Sequence, residues 1–241
     1  SLWPGLLGSW LHNQQRQQKR ARYFECGICF ADVDGKVIES PRIGGIAVGE
    51  AYTEQWGRVA RKVDFYDVKA DVEALLGAGC TFAAAAHPAL HPGRSARITR
   101  NGAELGCLGE MHPAIVRQLD LADAPYLYEL DAHLLAEIGM PGNALPSEFP
   151  SSRRDIDVVF AATIPAAQLL DCARRAGGNS LQPVFVFDIY RGKPLGDACK
   201  SAALGLIFND YSRTLTVEEI DAAVTAVKQA MARELRAADR Q

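Results

Sequence analysis

From Asp155 onward, the side chains of residues 155–160 alternate between two faces, which is typical of a half-buried strand. One face carries Ile156, Val158 and Phe160, and the other carries Asp155, Asp157 and Val159. Pro150 and two serines precede this strand, and both residue types favour turns. We therefore predict two domains, residues 1–146 and 147–241, which a chain of 241 residues can accommodate.

The second domain is predicted to contain strands and helices in the order βαββα. The predicted strands are 154–161, 183–190 and 201–208, and the predicted helices are 165–176 and 217–235. Pro165 suits a first helical position, and Thr216 and Glu219 have the spacing of a capping box. The tail leaves room for a short last strand, so we predict a ferredoxin-like βαββαβ domain.

The first domain mixes predicted helices with antiparallel strands, so it is predicted to be an α+β sheet module. Helices are expected at 2–11 and 113–119, and residues 63–69 are expected to lead into a further helix. Strands are expected at 22–30, 43–49, 97–100, 104–109 and 126–130. The apolar stripe of the second helix consists of Val68, Val72, Leu75 and Leu76. Asn101 and Gly102 predict a hairpin turn, and Pro92 and Gly93 predict another turn.

Strand parity predicts which side chains of the second domain face its helices. One alternating set is expected to be buried: Phe185, Phe187, Ile189, Leu204, Leu206, Phe208, Ile156, Val158 and Phe160. A two-layer domain covers only one side of its sheet, so the other set is expected on an open face. This second set is Val184, Val186, Asp188, Tyr190, Ser201, Ala203, Gly205, Arg153, Asp155 and Asp157.

Tyr190 lies beside Asp188 and Ser201 on the predicted open face. An exposed ring can stack on an unpaired base while polar groups bind the base edge, so this trio predicts contact with single-stranded RNA. Four basic residues are included in the predicted RNA-binding set: Arg153 on the same face, and Arg191, Lys193 and Lys200 beside the trio, available to phosphates. The alternative is a solvated sheet face next to a loop with ordinary charges.

Composition narrows the class of protein without identifying a partner. The net charge of −3 and pI of about 6.0 exclude a global basic field of the kind that attracts nucleic acid. The chain starts at Ser1 without a methionine, so we interpret it as part of a longer protein. It has no signal peptide and no apolar run near the roughly 18 residues of a membrane span, so we expect a cytoplasmic protein with reduced thiols.

The residues predict neither a metal site nor a catalytic site. Cys26 and Cys29 have CxxC spacing, but a structural zinc ion needs four ligands, and residues three apart in a strand point to opposite faces. His87 and His91 have no third ligand at a suitable spacing. Phosphate-loop, nucleophile-elbow and HExxH motifs do not occur. A stand-alone enzyme that uses His87, His91 or Cys26 is one alternative.

Several long motifs resemble the beta chain of bacterial phenylalanyl-tRNA synthetases, and they follow the same order through nearly the whole chain. The motifs in the second domain are 149–156, 187–193, 200–201 and 213–216. Those in the first domain are 1–7, 13–17, 24–27, 63–69 and 87–93. The resemblance is to the C-terminal part of that chain: a catalytic-like module with the class II synthetase fold, followed by a ferredoxin-fold anticodon-binding domain.

This resemblance implies a part of phenylalanine-tRNA ligase, which in this family is a heterotetramer of two alpha and two beta chains. It implies that ATP and magnesium bind at the alpha chain and that the first domain packs against that chain without catalytic residues or cofactors of its own. The absence of a GxGxxR motif agrees with this. The resemblance also implies that Asp188, Tyr190 and Ser201 bind the anticodon of tRNA(Phe).

The sequence departs from this family in two places. Asp197 and Ala198 stand where relatives often have Glu-Gly, which is expected to stiffen the loop before Lys200. Residues 233–241 lack the glycine that often leads the last strand, so that strand is expected to be frayed or absent. A protein-interaction or regulatory-ligand module is a further alternative, because ferredoxin-like folds serve such roles too.

Overall fold

The computed structural model describes residues 1–77, 79–138, 147–193 and 195–239. The internal contacts of the chain divide it into two units, residues 1–142 and 143–241. The predicted domain boundary after residue 146 lies in a segment outside the described residues. Both units combine helices with antiparallel sheets, so the predicted α+β class is confirmed.

The first unit contains a six-stranded antiparallel sheet in the order β1-β2-β6-β5-β4-β3. Its strands are β1 (Ala21–Val33), β2 (Lys36–Val48), β3 (Cys80–Ala84), β4 (Leu90–Arg100), β5 (Ala103–Met111) and β6 (Tyr126–Asp131). Its helices are α1 (Trp3–Gln14), α2 (Phe65–Leu76), α3 (Pro113–Gln118) and α4 (Ala132–Ala136). The predicted helices and strands of this unit are therefore present, whereas β3 and α4 were not predicted.

Two helices cover opposite faces of this sheet. The side chains that α1 buries are Trp3, Leu6 and Trp10, and they pack in a cluster with Leu127 of β6. Val72 and Leu76 of α2 pack in another cluster with Leu130 of β6. Leu127 and Leu130 are three residues apart in one strand and so lie on opposite faces. The sheet is therefore the middle layer of the unit.

Two local predictions for the first unit are wrong. Leu75 was expected in the buried stripe of α2 but is exposed, because Val68, Val72 and Leu76 follow one another at four-residue spacing and Leu75 lies beside that line. The turn predicted at residues 92–93 is also absent. Those residues belong to β4, which accommodates them with a register shift against β5.

The β1–β2 hairpin extends beyond the rest of the sheet. Its turn uses Asp34 and Gly35, whose φ angles of 52° and 76° match the two-residue turn that favours hairpins. The next strand, β6, pairs only with residues 42–47 of β2, so residues 28–41 form a two-stranded ribbon. One side of the hairpin carries exposed apolar side chains, here called the apolar hairpin face: Phe24, Ile28, Phe30 and Val37.

The second unit contains a four-stranded antiparallel sheet in the order β10-β7-β9-β8. Its strands are β7 (Ser152–Ala161), β8 (Leu181–Tyr190), β9 (Cys199–Phe208) and β10 (Ala238–Asp239). Its helices are α5 (Ala166–Gly177) and α6 (Val217–Leu235). This βαββαβ order confirms the predicted ferredoxin-like arrangement, and the last strand is present but only two residues long.

Both helices of the second unit pack on the same side of its sheet. One core cluster joins the buried side chains of α5 and α6 to those of the sheet; the sheet members include Ile156, Val158, Phe160, Leu204, Leu206 and Phe208. The capping box predicted at the start of α6 is present, since the Thr216 hydroxyl accepts from the N–H of Glu219 and the Glu219 carboxylate accepts from the N–H of Thr216. The opposite side of the sheet is the open face predicted from the sequence.

Candidate nucleic-acid interface

A β-bulge in β8 decides which side chains of this strand reach the open face. Val186 pairs with Leu204, but Asp188 pairs with Ala203, which directly precedes Leu204. Phe187 is therefore an extra residue of β8 with no partner position of its own in β9. The extra residue reverses the alternation of side chains along the strand.

This reversal makes part of the parity prediction wrong. Val184 and Val186 were expected on the open face, but they pack in the core beneath the helices. Phe185 and Phe187 were expected in the core, but they lie on the open face, whereas Ile189 is on the helix side as predicted. Residues 184–187 are all apolar, so the sequence contains no local alternation that reveals the bulge.

Phe185 and Phe187 contact Arg153 on the open face. The two ring centroids are 6.4 Å apart, and the guanidinium carbon of Arg153 lies 5.4 Å from the first and 5.2 Å from the second. The Nε of Arg153 donates to Oδ1 of Asp155 at 2.7 Å. A Cβ on Gly205 would lie 2.6 Å from the Phe185 ring, so glycine in β9 lets this ring pack directly on the strand.

Asp188, Tyr190 and Ser201 share the open face, as the sequence predicted. Tyr190 pairs directly with Ser201, and Asp188 is two residues before Tyr190. Tyr190 is 37% exposed and therefore accessible. Ser201 is only 3% exposed, so its hydroxyl lies below the surface. A Cβ on Gly192 would lie 2.3 Å from the phenol oxygen, so glycine at that position allows the chain to pass close to the ring.

Lys200 does not lie where the sequence placed it. The residue is only 6% exposed, and its ammonium donates to the carbonyl of Ala162 at 2.9 Å and lies 5.1 Å from the ring centroid of Phe160. Lys200 pairs with Phe160, so it is on the helix side of the sheet. Burial, assisted by the charge of Arg191, lowers the pKa of Lys200. The expectation that Lys200 is available to a phosphate is therefore wrong.

Arg191 and Lys193 do lie at the surface. Both are exposed, and both come directly after β8, in the segment that passes the Tyr190 ring. Their side chains place positive charge at the end of the open face that carries Tyr190, whereas Arg153 lies at the end that carries Phe185. The open face thus combines accessible rings, carboxylates and guanidinium groups, which is the chemistry that binds unpaired bases and phosphates.

The histidines and cysteines considered for catalysis or metal binding occupy structural positions. Nδ1 of His87 and Nδ1 of His91 each accept the backbone N–H two residues later, at 3.2 Å and 3.0 Å. Cys26 and Cys29 both lie in β1, where residues three apart point to opposite faces. Within residues 1–77, 79–138, 147–193 and 195–239, no three His, Cys, Asp or Glu side chains are grouped to hold a metal ion.

No helix in the described part of the chain is long and apolar enough to cross a membrane. All six cysteines are free thiols, and Cys172 among them is buried in the core of the second unit. Burial raises the pKa of the partly buried Cys107 thiol to about 11, so the thiol stays protonated and poorly nucleophilic at neutral pH. The Cys107 thiol is therefore not a reactive centre.

Two protein-family descriptions match the two units. "Phenylalanyl tRNA synthetase beta chain CLM domain" matches residues 1–132, and "Ferredoxin-fold anticodon binding domain" matches residues 147–240. The first match alone covers more than half of the chain. The second covers the whole sheet that carries the open face described above.

Curated relatives agree with these families. The chain is 44% identical to a phenylalanine-tRNA ligase beta subunit from Thiobacillus denitrificans, over 97% of this chain and 29% of the relative. It is 42% identical to the same subunit from Dickeya dadantii, over 98% of this chain and 31% of the relative. A solved pyrrolysyl-tRNA synthetase from Desulfitobacterium hafniense aligns with a TM-score of 0.42 at 15% identity, covering 57% of this chain and 48% of that one. The chain thus spans less than a third of the length of these curated relatives.

Proposed function

Because this chain belongs to the phenylalanyl-tRNA synthetase beta-chain family, we propose that it is the tRNA-binding and assembly part of a phenylalanine-tRNA ligase. In this proposal the second unit binds the anticodon of tRNA(Phe), and the first unit packs against the catalytic alpha chain. The observation that carries the RNA role is the presence of Asp188 and a 37% exposed Tyr190 on the sheet face opposite α5 and α6.

The proposed chemistry on the open face is stacking combined with recognition of a base edge. An unpaired anticodon base stacks on the Tyr190 ring, since the residue is 37% exposed. The Asp188 carboxylate accepts hydrogen bonds from N–H groups on the base edge, since an ionised carboxylate is an acceptor only. Ser201, directly across from Tyr190, adds a hydroxyl at the base of the site.

The proposed contact with the alpha chain uses the apolar hairpin face. Phe24, Ile28, Phe30 and Val37 form one row of exposed apolar side chains. Phe24 alone is 73% exposed, and contiguous apolar surface of this kind commonly marks a protein interface. Aromatic anchors at the centre of such a patch supply most of the binding energy of an interface.

We further propose that ATP and magnesium act only at the alpha chain and that the complete enzyme is a heterotetramer of two alpha and two beta chains in the cytoplasm. This chain contributes no catalytic residue to that scheme. The class II synthetase-like fold of the first unit stays a prediction from the family resemblance. Co-expression with an alpha chain tests the proposal directly, because an aminoacylating complex should form only when both chains are present.

The salt dependence of tRNA binding tests the role of the exposed cations. Replacing both Arg191 and Lys193 by Ala is expected to lower the slope of log K against log salt concentration by about 1 to 2, since each phosphate contact contributes roughly 0.7 to 0.9. Binding of tRNA(Phe) to the alpha–beta complex, measured between low and moderate salt, gives the slope. Arg174→Ala is the matched control, because Arg174 lies on α5 on the far side of the sheet. Equal slopes for the double variant and the control would contradict phosphate contact.

A further inference from the structure

We propose that Phe187 and Arg153 form a second nucleotide subsite on the open face, next to Tyr190. In this subsite the base of a neighbouring nucleotide stacks on the Phe187 ring, and the Arg153 guanidinium binds the phosphate of that nucleotide. The inference rests on the proposed RNA role of the second unit and extends it from one stacked base to two.

The bulge is the first support for this subsite. Phe187 is the extra residue of β8, and the bulge turns it away from the helices, so that the ring is 49% exposed. Full burial of a Phe side chain stabilises a fold, and this half-exposed ring forgoes part of that stabilisation. A second aromatic ring, Phe185, lies beside it on the same face. Two adjacent accessible rings on an uncovered sheet are the arrangement on which single-stranded bases stack.

The position of Arg153 is the second support. Asp155 and both Phe rings hold the guanidinium in one place on the open face, and half of the side chain remains exposed. Its hydrogen bond to Asp155 uses Nε–H, and a guanidinium has four further N–H donors on its terminal nitrogens. A guanidinium that is already oriented loses little conformational entropy when it binds a phosphate.

The spacing along β8 is the third support. Phe187 and Tyr190 are three residues apart, which is about 10 Å or less in a strand that rises about 3.4 Å per residue. The bulge places both on the same face, where a regular strand would separate them. Asp188 lies between them, so the two rings flank one acceptor for base N–H groups. The bases of two nucleotides that are close in sequence can therefore stack on the Phe187 and Tyr190 rings at the same time.

The test compares Phe187→Ala with Ile189→Ala in the full-length beta chain, complexed with its alpha chain. The two side chains have similar exposure, 49% and 43%, but lie on opposite faces of β8. We expect Phe187→Ala to weaken binding of tRNA(Phe) by about fivefold or more, the lower end of what one stacked base contributes. Ile189→Ala is expected to leave the affinity unchanged. Equal affinities for the two variants would overturn the subsite.

A tRNA series with one abasic nucleotide at successive anticodon-loop positions identifies the stacked base. With wild-type protein, one abasic position should reproduce the loss seen for Phe187→Ala, and in the Phe187→Ala background that position should cost nothing further. Additive losses at every position would contradict stacking on Phe187. Arg153→Gln should lower the salt slope by roughly 0.7, and an unchanged slope would remove Arg153 from the subsite.

Measuring tRNA(Phe) binding by Tyr190→Ala beside Phe187→Ala separates the second subsite from the proposed anticodon binding on which it rests. If Tyr190→Ala weakens binding and Phe187→Ala does not, the second subsite is wrong and anticodon binding by the open face stands. If neither variant weakens binding, the proposed RNA role of the open face is itself wrong.

Discussion

Replacing Ile28 by Asp is expected to prevent the beta chain from co-purifying with its alpha chain. Ile28 lies in the middle of the apolar hairpin face, between Phe24 and Phe30 on the same side of β1. A carboxylate buried there without a partner costs about 3–5 kcal/mol, which lowers the affinity more than a hundredfold. Pull-down of a tagged alpha chain, followed by sedimentation of the purified complex, measures the effect.

Ala31→Asp is the control for this substitution. Ala31 is exposed in the same strand, pairs with Ile38 and lies on the opposite side of the hairpin from Ile28. It adds the same charge at an exposed position of the same strand, although Ala gives up less strand propensity than Ile. If both variants assemble with the alpha chain as the wild type does, the apolar hairpin face is not the contact. If neither variant assembles with the alpha chain, the contact is not confined to the side of the hairpin that carries Ile28.

The elements of the second unit could be predicted from the sequence because local signals agree with one another there. Thr216 and Glu219 fix the start of α6, and the alternation from Ile156 to Phe160 fixes the face of β7. The first unit was less completely predicted. The strand β3 is short and lies at the edge of the sheet, where pairing with β4 rather than its own pattern determines its conformation.

The candidate site could be predicted only in part, because two of its features depend on tertiary structure. The bulge at Phe187 follows from the pairing of β8 with β9, and the uniformly apolar run 184–187 is compatible with either parity. Asp188 and Tyr190 were placed on the correct face because they follow the bulge together. Lys200 was misplaced because the strand was predicted to begin only at 201, whereas β9 includes Lys200 and its ammonium donates to the carbonyl of Ala162 on the helix side.

Replacing Tyr190 by Ala is expected to weaken binding of tRNA(Phe) to the intact enzyme by about 1–3 kcal/mol, or roughly 5- to 150-fold. The ring is the accessible aromatic side chain beside Asp188, and alanine leaves no surface on which a base can stack. The Michaelis constant for tRNA should rise, whereas ATP-dependent activation of phenylalanine should not change, because the proposal assigns that chemistry to the alpha chain. Equilibrium binding and both kinetic assays can be measured on one preparation.

Tyr190→Phe is the informative companion variant. It removes the hydroxyl that lies against Gly192 but keeps the ring, so stacking predicts an affinity close to that of the wild type. A loss as large as that of Tyr190→Ala would mean that the hydroxyl, rather than the π-face, makes the contact. Unchanged tRNA affinity in Tyr190→Ala would refute anticodon stacking on this residue. A loss of phenylalanine activation would instead indicate that the substitution disturbs the alpha chain, since no base stack acts in that step.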